Sequence, residues 1–383
     1  MNRPNFIKLG LNTPNSIEIR PNKEYNWEKE KGGRRMREFN YAALRERQWD
    51  SEILGLVAQI HEYKGRQELY LKQKPAVLDK LVEIAKVQST EASNKIEGIV
   101  TTETRIHQLC MDKTTPKNRD EEEIMGYRDV LNTIHESYEY IPIRSSYILQ
   151  LHRDLYKYSE KAIGGRYKNT QNVIAETRED GTQIVRFTPV APYDTPGAIE
   201  AICENFNQVI DSCVLDPLVL IPIFINDFLC IHPFNDSNGR MSRLLTTLLL
   251  YRCGYVVGRY ISIENKIEKT KSKYYEVLEQ CGFGWHEGKN DPTPFIKYIL
   301  GIILAAYRDF ESRINLIDEK LPAIDQVRNA IKEKIGKFTK SEIMELVPSV
   351  GKTSVENSLK VLVENGEIER HGRGKATFYT RKD

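Results

Sequence analysis

Twelve consecutive residues, His232-Pro233-Phe234-Asn235-Asp236-Ser237-Asn238-Gly239-Arg240-Met241-Ser242-Arg243, bring together an imidazole, a carboxylate, a small-residue turn and two guanidinium groups. A histidine titrates near pH 6.5, so His232 can take a proton from an incoming hydroxyl. Asp236 offers a hard oxygen ligand, and magnesium is usually held by one or two carboxylates plus phosphate oxygens. Arg240 and Arg243 are three residues apart, so both fall on one helix face, where their forked donors can clamp successive phosphates. Taken singly, these are a helix-end histidine, a capped turn and a solvated face. Assembled in one run, they are equipment for a nucleotide.

The flanks place these groups. Leu218 to Ile231 is apolar enough for a buried helix and, broken by Pro222, Asn226 and Asp227, too interrupted to span a membrane. Pro233 pushes His232 out of the helical region, so the helix should stop at about His232 and leave the imidazole at a loop mouth. Leu244 to Tyr251 reads as a second buried helix with Gly254 as its stop. Asp236 to Gly239 is then the entry of that helix, where free N–H groups and the positive dipole end favour an anion.

The run resembles the active-site motif of Fic-domain proteins, HPFx(D/E)GNGRxxR, with eight of the nine specified positions unchanged. The departure is Ser237 in place of the usual glycine. If that position needs a positive φ, serine costs something, and rate is the quantity at stake. The resemblance implies transfer of AMP from ATP to a Ser, Thr or Tyr hydroxyl of a target protein, with pyrophosphate leaving. By that analogy His232 is the general base and Asp236 holds Mg2+ between phosphates. Ser237, Asn238 and Gly239 shape the α-phosphate site, and Arg240 and Arg243 take the β- and γ-phosphates.

Two further segments are similar to the family. Gly165 to Ala175, a polar stretch turning at Asp180-Gly181, and Ile184 to Phe187 read as a β-hairpin. It resembles the Fic flap, whose strand Asn172-Val173-Ile174-Ala175 would register a target segment by backbone pairing. In Lys271 to Leu278, Tyr274 is the counterpart of a tyrosine that lines the nucleotide pocket, although a core tyrosine fits the sequence equally well. Far upstream, Ser93-Asn94-Lys95-Ile96-Glu97-Gly98 resembles the inhibitory motif (S/T)xxxE(G/N) of the internally inhibited class. It would set Ser93 and Glu97 at the end of a helix, with Glu97 against Arg243, so that ATP binds unproductively.

A chain of 383 residues with 40% hydrophobic content divides into two or three domains, and a formal net charge of +2 argues neither for nor against nucleic acid. Six cysteines without a CxxC pair read as reduced core residues of a cytoplasmic protein, and the seven histidines show no ligand spacing. The N-terminus has no apolar signal region. Residues 1 to about 40 are polar and read as irregular or peripheral. Helical patterns follow at Ala42 to Gly65, Val77 to Glu97, Arg105 to Leu109 and Glu121 to Glu136.

The expected fold is mainly α: an N-terminal helical region (1–104), a Fic helical core with a β-hairpin flap (105–315) and a C-terminal winged-helix domain (316–383). The last rests on Ile324, Val327, Ile331 and Ile335 along one helix face, on Thr339 with Glu342 and Thr353 with Glu356 as helix caps, and on a hairpin around Gly372-Arg373-Gly374. Its wing carries Arg370, His371, Arg373 and Lys375. Its third helix mixes Lys352 and Lys360 with Glu356 and Glu364, which favours a protein contact slightly over DNA.

Alternatives remain open at this stage. They are another transferred group, removal of AMP with Glu97 positioning water, or a DNA-binding regulator on a decayed Fic fold. Gly239 after Asn238 speaks against a phosphorylating relative, which carries lysine there. Self-modification and a homodimer are further expectations.

Overall fold

A computed structural model describes residues 16–21, 37–73, 75–161, 163–177, 183–316, 321–347 and 349–382. The described chain is mainly helical. A short strand β1 (Ser16–Pro21) precedes a 3-10 turn (Tyr41–Glu46) and helices α1 (Ser51–Gln73), α2 (Pro75–Ile96), α3 (Glu103–Cys110), α4 (Arg119–Ser137) and α5 (Ser145–Leu155). The hairpin β2 (Asn172–Thr177) and β3 (Gln183–Phe187) leads into α6 (Thr195–Ser212), α7 (Pro217–Ile231), α8 (Asn238–Arg252), α9 (Ile263–Lys269), α10 (Lys271–Gly282) and α11 (Thr293–Leu316).

α7 and α8 form the centre because nearly every residue on every face of both is buried. Such helices need neighbours all round. α6 and α11 pack on α7, while α2 and α4 pack on α8. The core they share runs from Tyr41 and Ile53 through Leu81, Tyr127, Phe224 and Leu248 to Ile314, so helices on both sides of residue 104 contribute to it. Pro222 sits inside α7 without ending it.

Several boundaries differ from the sequence reading. The helix expected over Ala42 to Gly65 is a 3-10 turn, a break before Ser51, then α1 running on to Gln73, with the Asp50 carboxylate accepting from the Ile53 N–H at 2.9 Å to start it. Residues 1–40 are not wholly irregular. β1 pairs antiparallel with β2, from Ser16 opposite Thr177 to Pro21 opposite Asn172, giving a sheet ordered β1-β2-β3. The rest of that segment up to residue 36 lies outside the described residues. Cys110, Cys203, Cys230 and Cys281 are buried thiols, but Cys213 is exposed at the left-handed end of α6.

The C-terminal segment forms α12 (Ala323–Lys332), β4 (Lys337–Phe338), α13 (Lys340–Leu346), α14 (Lys352–Glu364), β5 (Ile368–His371) and β6 (Phe378–Arg381). Val327, Ile331, Phe338, Ile343, Val355, Leu359 and Ile368 make its own core. Thr339 and Glu342 form the expected capping box. Thr353, by contrast, lies inside α14, which starts one residue earlier behind Gly351, and no side chain caps it. Ile335 falls beyond the end of α12 and is 94% exposed, because the chain turns at Gly336 (φ 76°), while Ile324, Val327 and Ile331 stay on the packed face. The hairpin gains a third strand, in order β4-β6-β5.

Candidate functional site

The site sits in the loop between α7 and α8, which two left-handed residues bend: His232 at φ 52° closes α7 and Ser237 at φ 69° opens α8. Between them Asn238 clamps the loop, its side-chain oxygen accepting from the Phe234 N–H (2.9 Å) and its amide donating to the Phe234 carbonyl (2.8 Å). Its side chain thus holds this turn shut.

His232 is not at an open mouth. It is 3% exposed. Its Nδ1 donates to the Leu229 carbonyl at 3.2 Å, which leaves Nε2 as an unprotonated nitrogen that is buried and without a protein partner. Burial, helped by the charge of Lys168, pulls its pKa down to about 3, so the ring is a neutral acceptor across the physiological range. Lys168 Nζ bridges the Ile231 carbonyl (3.0 Å) and the Asn172 side chain (3.1 Å), and burial lowers it to about 7. Asn172 also donates to the Phe234 carbonyl (3.2 Å), so the start of β2 is fastened to the motif loop; Val173 and Ala175 are buried beyond it and Ile174 is half-buried.

At the entry of α8 the first intrahelical bond runs from Met241 N to the Ser237 carbonyl, leaving the N–H groups of Asn238, Gly239 and Arg240 ahead of it. A serine at this position usually caps such groups. Ser237 does not; its hydroxyl is bound by the Tyr156 hydroxyl at 2.6 Å and by the Arg240 guanidinium. The positive helix end is thus left free of a serine cap. The Glu97 carboxylate lies beside it, against Gly239, where a Cβ would run into Glu97 Oε1.

Both arginines point from α8 towards α2 and α4. Arg243 donates to Glu97 (2.7 Å), to the Ser93 hydroxyl (2.8 Å) and to the Ser93 carbonyl (3.0 Å). Arg240 donates to Glu123 (2.7 Å) and, at 3.4 Å, to Asn94. Burial opposes both charges, but Glu97 beside Arg243, and Tyr156, Glu123 and Asp236 around Arg240, hold them firmly protonated. Lys271 Nζ donates to the Ile96 carbonyl at 2.6 Å and so pins the end of α2.

Asp236 is partly buried, its side chain 13% exposed, yet ionised: burial works against its charge, while Arg240 and Lys161 outweigh it and keep its pKa below the usual value. One oxygen accepts from its neighbour's N–H at Ser237 (2.7 Å) and the other from Lys161 Nζ (3.1 Å). Among the described residues no group of three or more His, Cys, Asp or Glu side chains is set to hold a metal. A single anionic carboxylate at a helix entry nonetheless suits magnesium, provided the remaining ligands come from nucleotide oxygens and water. Tyr274 is 3% exposed in an aromatic cluster with Tyr275, Phe295 and Tyr298, its hydroxyl beside Ser242 and Arg243.

Residues 142–250, which contain all of the α7–α8 loop, match the sequence profile of the Fic/DOC family. This is a Fic domain. Protein adenylyltransferase fic-1 of Caenorhabditis elegans is 26% identical over 190 residues, covering 47% of this chain and 32% of the relative. Protein adenylyltransferase Fic of Nematostella vectensis is 26% identical over 219 residues, covering 54% and 44%. The chain thus spans less than half the length of these curated relatives. Among solved structures, a Fic family protein from Desulfovibrio desulfuricans G20 superposes with a TM-score of 0.58 at 23% identity, over 88% of this chain and 97% of that one. A Fic domain-containing signaling protein from Bacteroides thetaiotaomicron VPI-5482 gives 0.56 at 23% identity, over 71% and 100%. These two establish the likeness of fold.

The structure also brings to this loop residues that no motif reading picked out. His152 stacks on Phe234 at 3.7 Å between ring centroids, accepts from the Gly165 N–H at Nδ1 (3.1 Å) and so donates from Nε2 to the Asp236 carbonyl (3.3 Å). Burial draws its pKa down to about 4. Glu123, Lys161 and Asn94 are the other additions. Their only sequence-level signal is helical spacing, such as Arg119 to Glu123, because their partners lie far along the chain.

Proposed function

We propose that this chain transfers AMP from ATP to a hydroxyl side chain of a protein target, and that Glu97 holds the resting enzyme in check. The observation that supports this reading is the Glu97 carboxylate lying against Gly239 and bonded to Arg243, the guanidinium read as a phosphate clamp. Nε2 of His232 takes the proton of the incoming hydroxyl, the oxygen attacks the α-phosphorus, and the bond to the bridging oxygen breaks to release pyrophosphate. Arg240 and Arg243 hold the β- and γ-phosphates once Glu97 has left Arg243. Asp236 would hold Mg2+, exchanging its Lys161 contact for the cation, which when bound neutralises phosphate charge. Positioning and charge stabilisation supply most of the rate in this class of reaction. The edge of the hairpin receives the target as an added strand. The C-terminal segment is proposed to be a winged-helix module contacting protein rather than DNA, since Lys340 is paired with Glu356 (2.6 Å) and His371 is turned onto Thr380 (2.9 Å) and Phe378.

The test is incubation of the wild type, Glu97→Gly and His232→Ala with magnesium and ATP labelled separately at the α- and γ-phosphates, followed by intact mass. The expected result is α-label on protein, increased in Glu97→Gly and lost, by about 10²- to 10⁴-fold, in His232→Ala. Label from the γ-position would instead make the domain a phosphorylating one.

A further inference from the structure

We propose that residues 16–21 are the resting occupant of the flap edge, a strand of the chain's own N-terminal segment standing where a target segment would add. This rests on the reading that the flap docks the target. β2 is paired on both sides: β1 lies along one edge over six residue pairs, and β3 along the other with a bulge at Ile174/Ala175. A strand paired on both sides has no free N–H and C=O row to offer.

The register gives the occupant a direction. Pro21 lies opposite Asn172, the residue fastened to the Phe234 carbonyl of the motif loop, and Ser16 lies opposite Thr177, away from it. Ser16-Ile17-Glu18-Ile19-Arg20-Pro21 has the alternation of a strand and ends in a residue that cannot donate to a ladder. The segment is also tethered. The chain is anchored again at Arg37, whose guanidinium donates to the Trp285 carbonyl (2.8 Å) and to Asn290 (2.7 Å). Residues 22–36 span on the order of 50 Å at most. A tethered segment meets its site at an effective concentration on the order of millimolar. A target must displace it, so the domain carries two brakes, one on the phosphates and one on the acceptor.

The experiment is residue-resolved amide hydrogen exchange on the full-length wild type and on full-length Glu18→Pro/Ile19→Pro. Adjacent prolines remove one donor of each parity, whichever parity faces β2. The expected result is that alternate β2 amides, those turned to β1, exchange at least tenfold faster in the variant, while the ones bonded to β3 keep their protection. A fluorescent synthetic peptide of residues 14–23 should bind the variant and not the wild type, and restore the lost protection. Equal exchange in both chains, or equal peptide binding, would overturn the proposal. Neither readout uses ATP, so a Glu97→Gly chain that transfers no α-label would sink the AMP-transfer reading and leave the strand pairing standing.

Discussion

Arg243 and Arg328 each grip a glutamate, Glu97 at 2.7 Å and Glu367 at 2.6 Å, but their side chains are 2% and 30% exposed. The first pair lies against the core with Ser93 and the α8 entry around it; the second links α12 to the start of β5 across solvent. The contrast teaches that bond length does not decide what an ion pair does. Where the arginine is buried, as at Arg243, little water can replace a lost partner and other protein acceptors must, whereas at an exposed pair water does. Rearranging the charge at Arg243 is therefore expected to disturb its surroundings more than the same change at Arg328.

The hardest way to break this comparison is Arg240→Ala. It takes from Glu123 its buried partner and leaves only Arg119 and Lys161, and the expected loss of stability is about 1.5–3 kcal/mol, read by urea unfolding, with transfer abolished. An Arg240→Met/Glu123→Leu double variant should recover much of the stability and none of the transfer, which separates folding from chemistry.

Next comes pH. His135, His152 and His232 stay neutral in the fold down to about 3, 4 and 3, but take up a proton near 6.5 when unfolded. Their stabilisation is complete above about pH 6.5 and is lost as pH falls towards 4. In His135→Gln the slope of unfolding free energy against pH over that window should flatten by about 1.4 kcal/mol per unit.

Glu97→Gly should raise α-label transfer tenfold or more while lowering Tm only slightly, since Arg243 keeps both Ser93 acceptors. A fall in transfer would mean that Glu97 does chemistry rather than restraint. At the small end, Arg328→Ala should leave Tm within error and transfer unchanged.

The candidate run was legible because its parts are contiguous: a histidine before proline, a helix entry and two arginines one turn apart need no tertiary information. Ser93 and Glu97 share a helix end and could also be read locally. Glu123, Lys161, His152 and Lys168 could not, because each earns its place from a partner brought close by packing α4, α5 and the hairpin arm against the loop. β1 was hidden by length, since six alternating residues in a polar segment are decided by the strand they meet. His232 misled for a related reason. Proline after it does forbid the helix, but the left-handed turn that results folds the ring inward instead of out.

The two left-handed corners of the α7–α8 loop have one more consequence. With His232 and Ser237 already bent and Asn238 clamping the turn, the backbone of the resting loop is set before any nucleotide arrives. A left-handed serine costs on the order of 1 kcal/mol, and that strain is settled at folding, not at each turnover. What stands in the way at this loop is the side chains of Glu97 and Lys161, and side-chain rotations are among the faster motions a protein makes. On the proposed reading the off state at this loop is a matter of occupancy rather than of shape, so inhibition here should respond to concentration and show little lag.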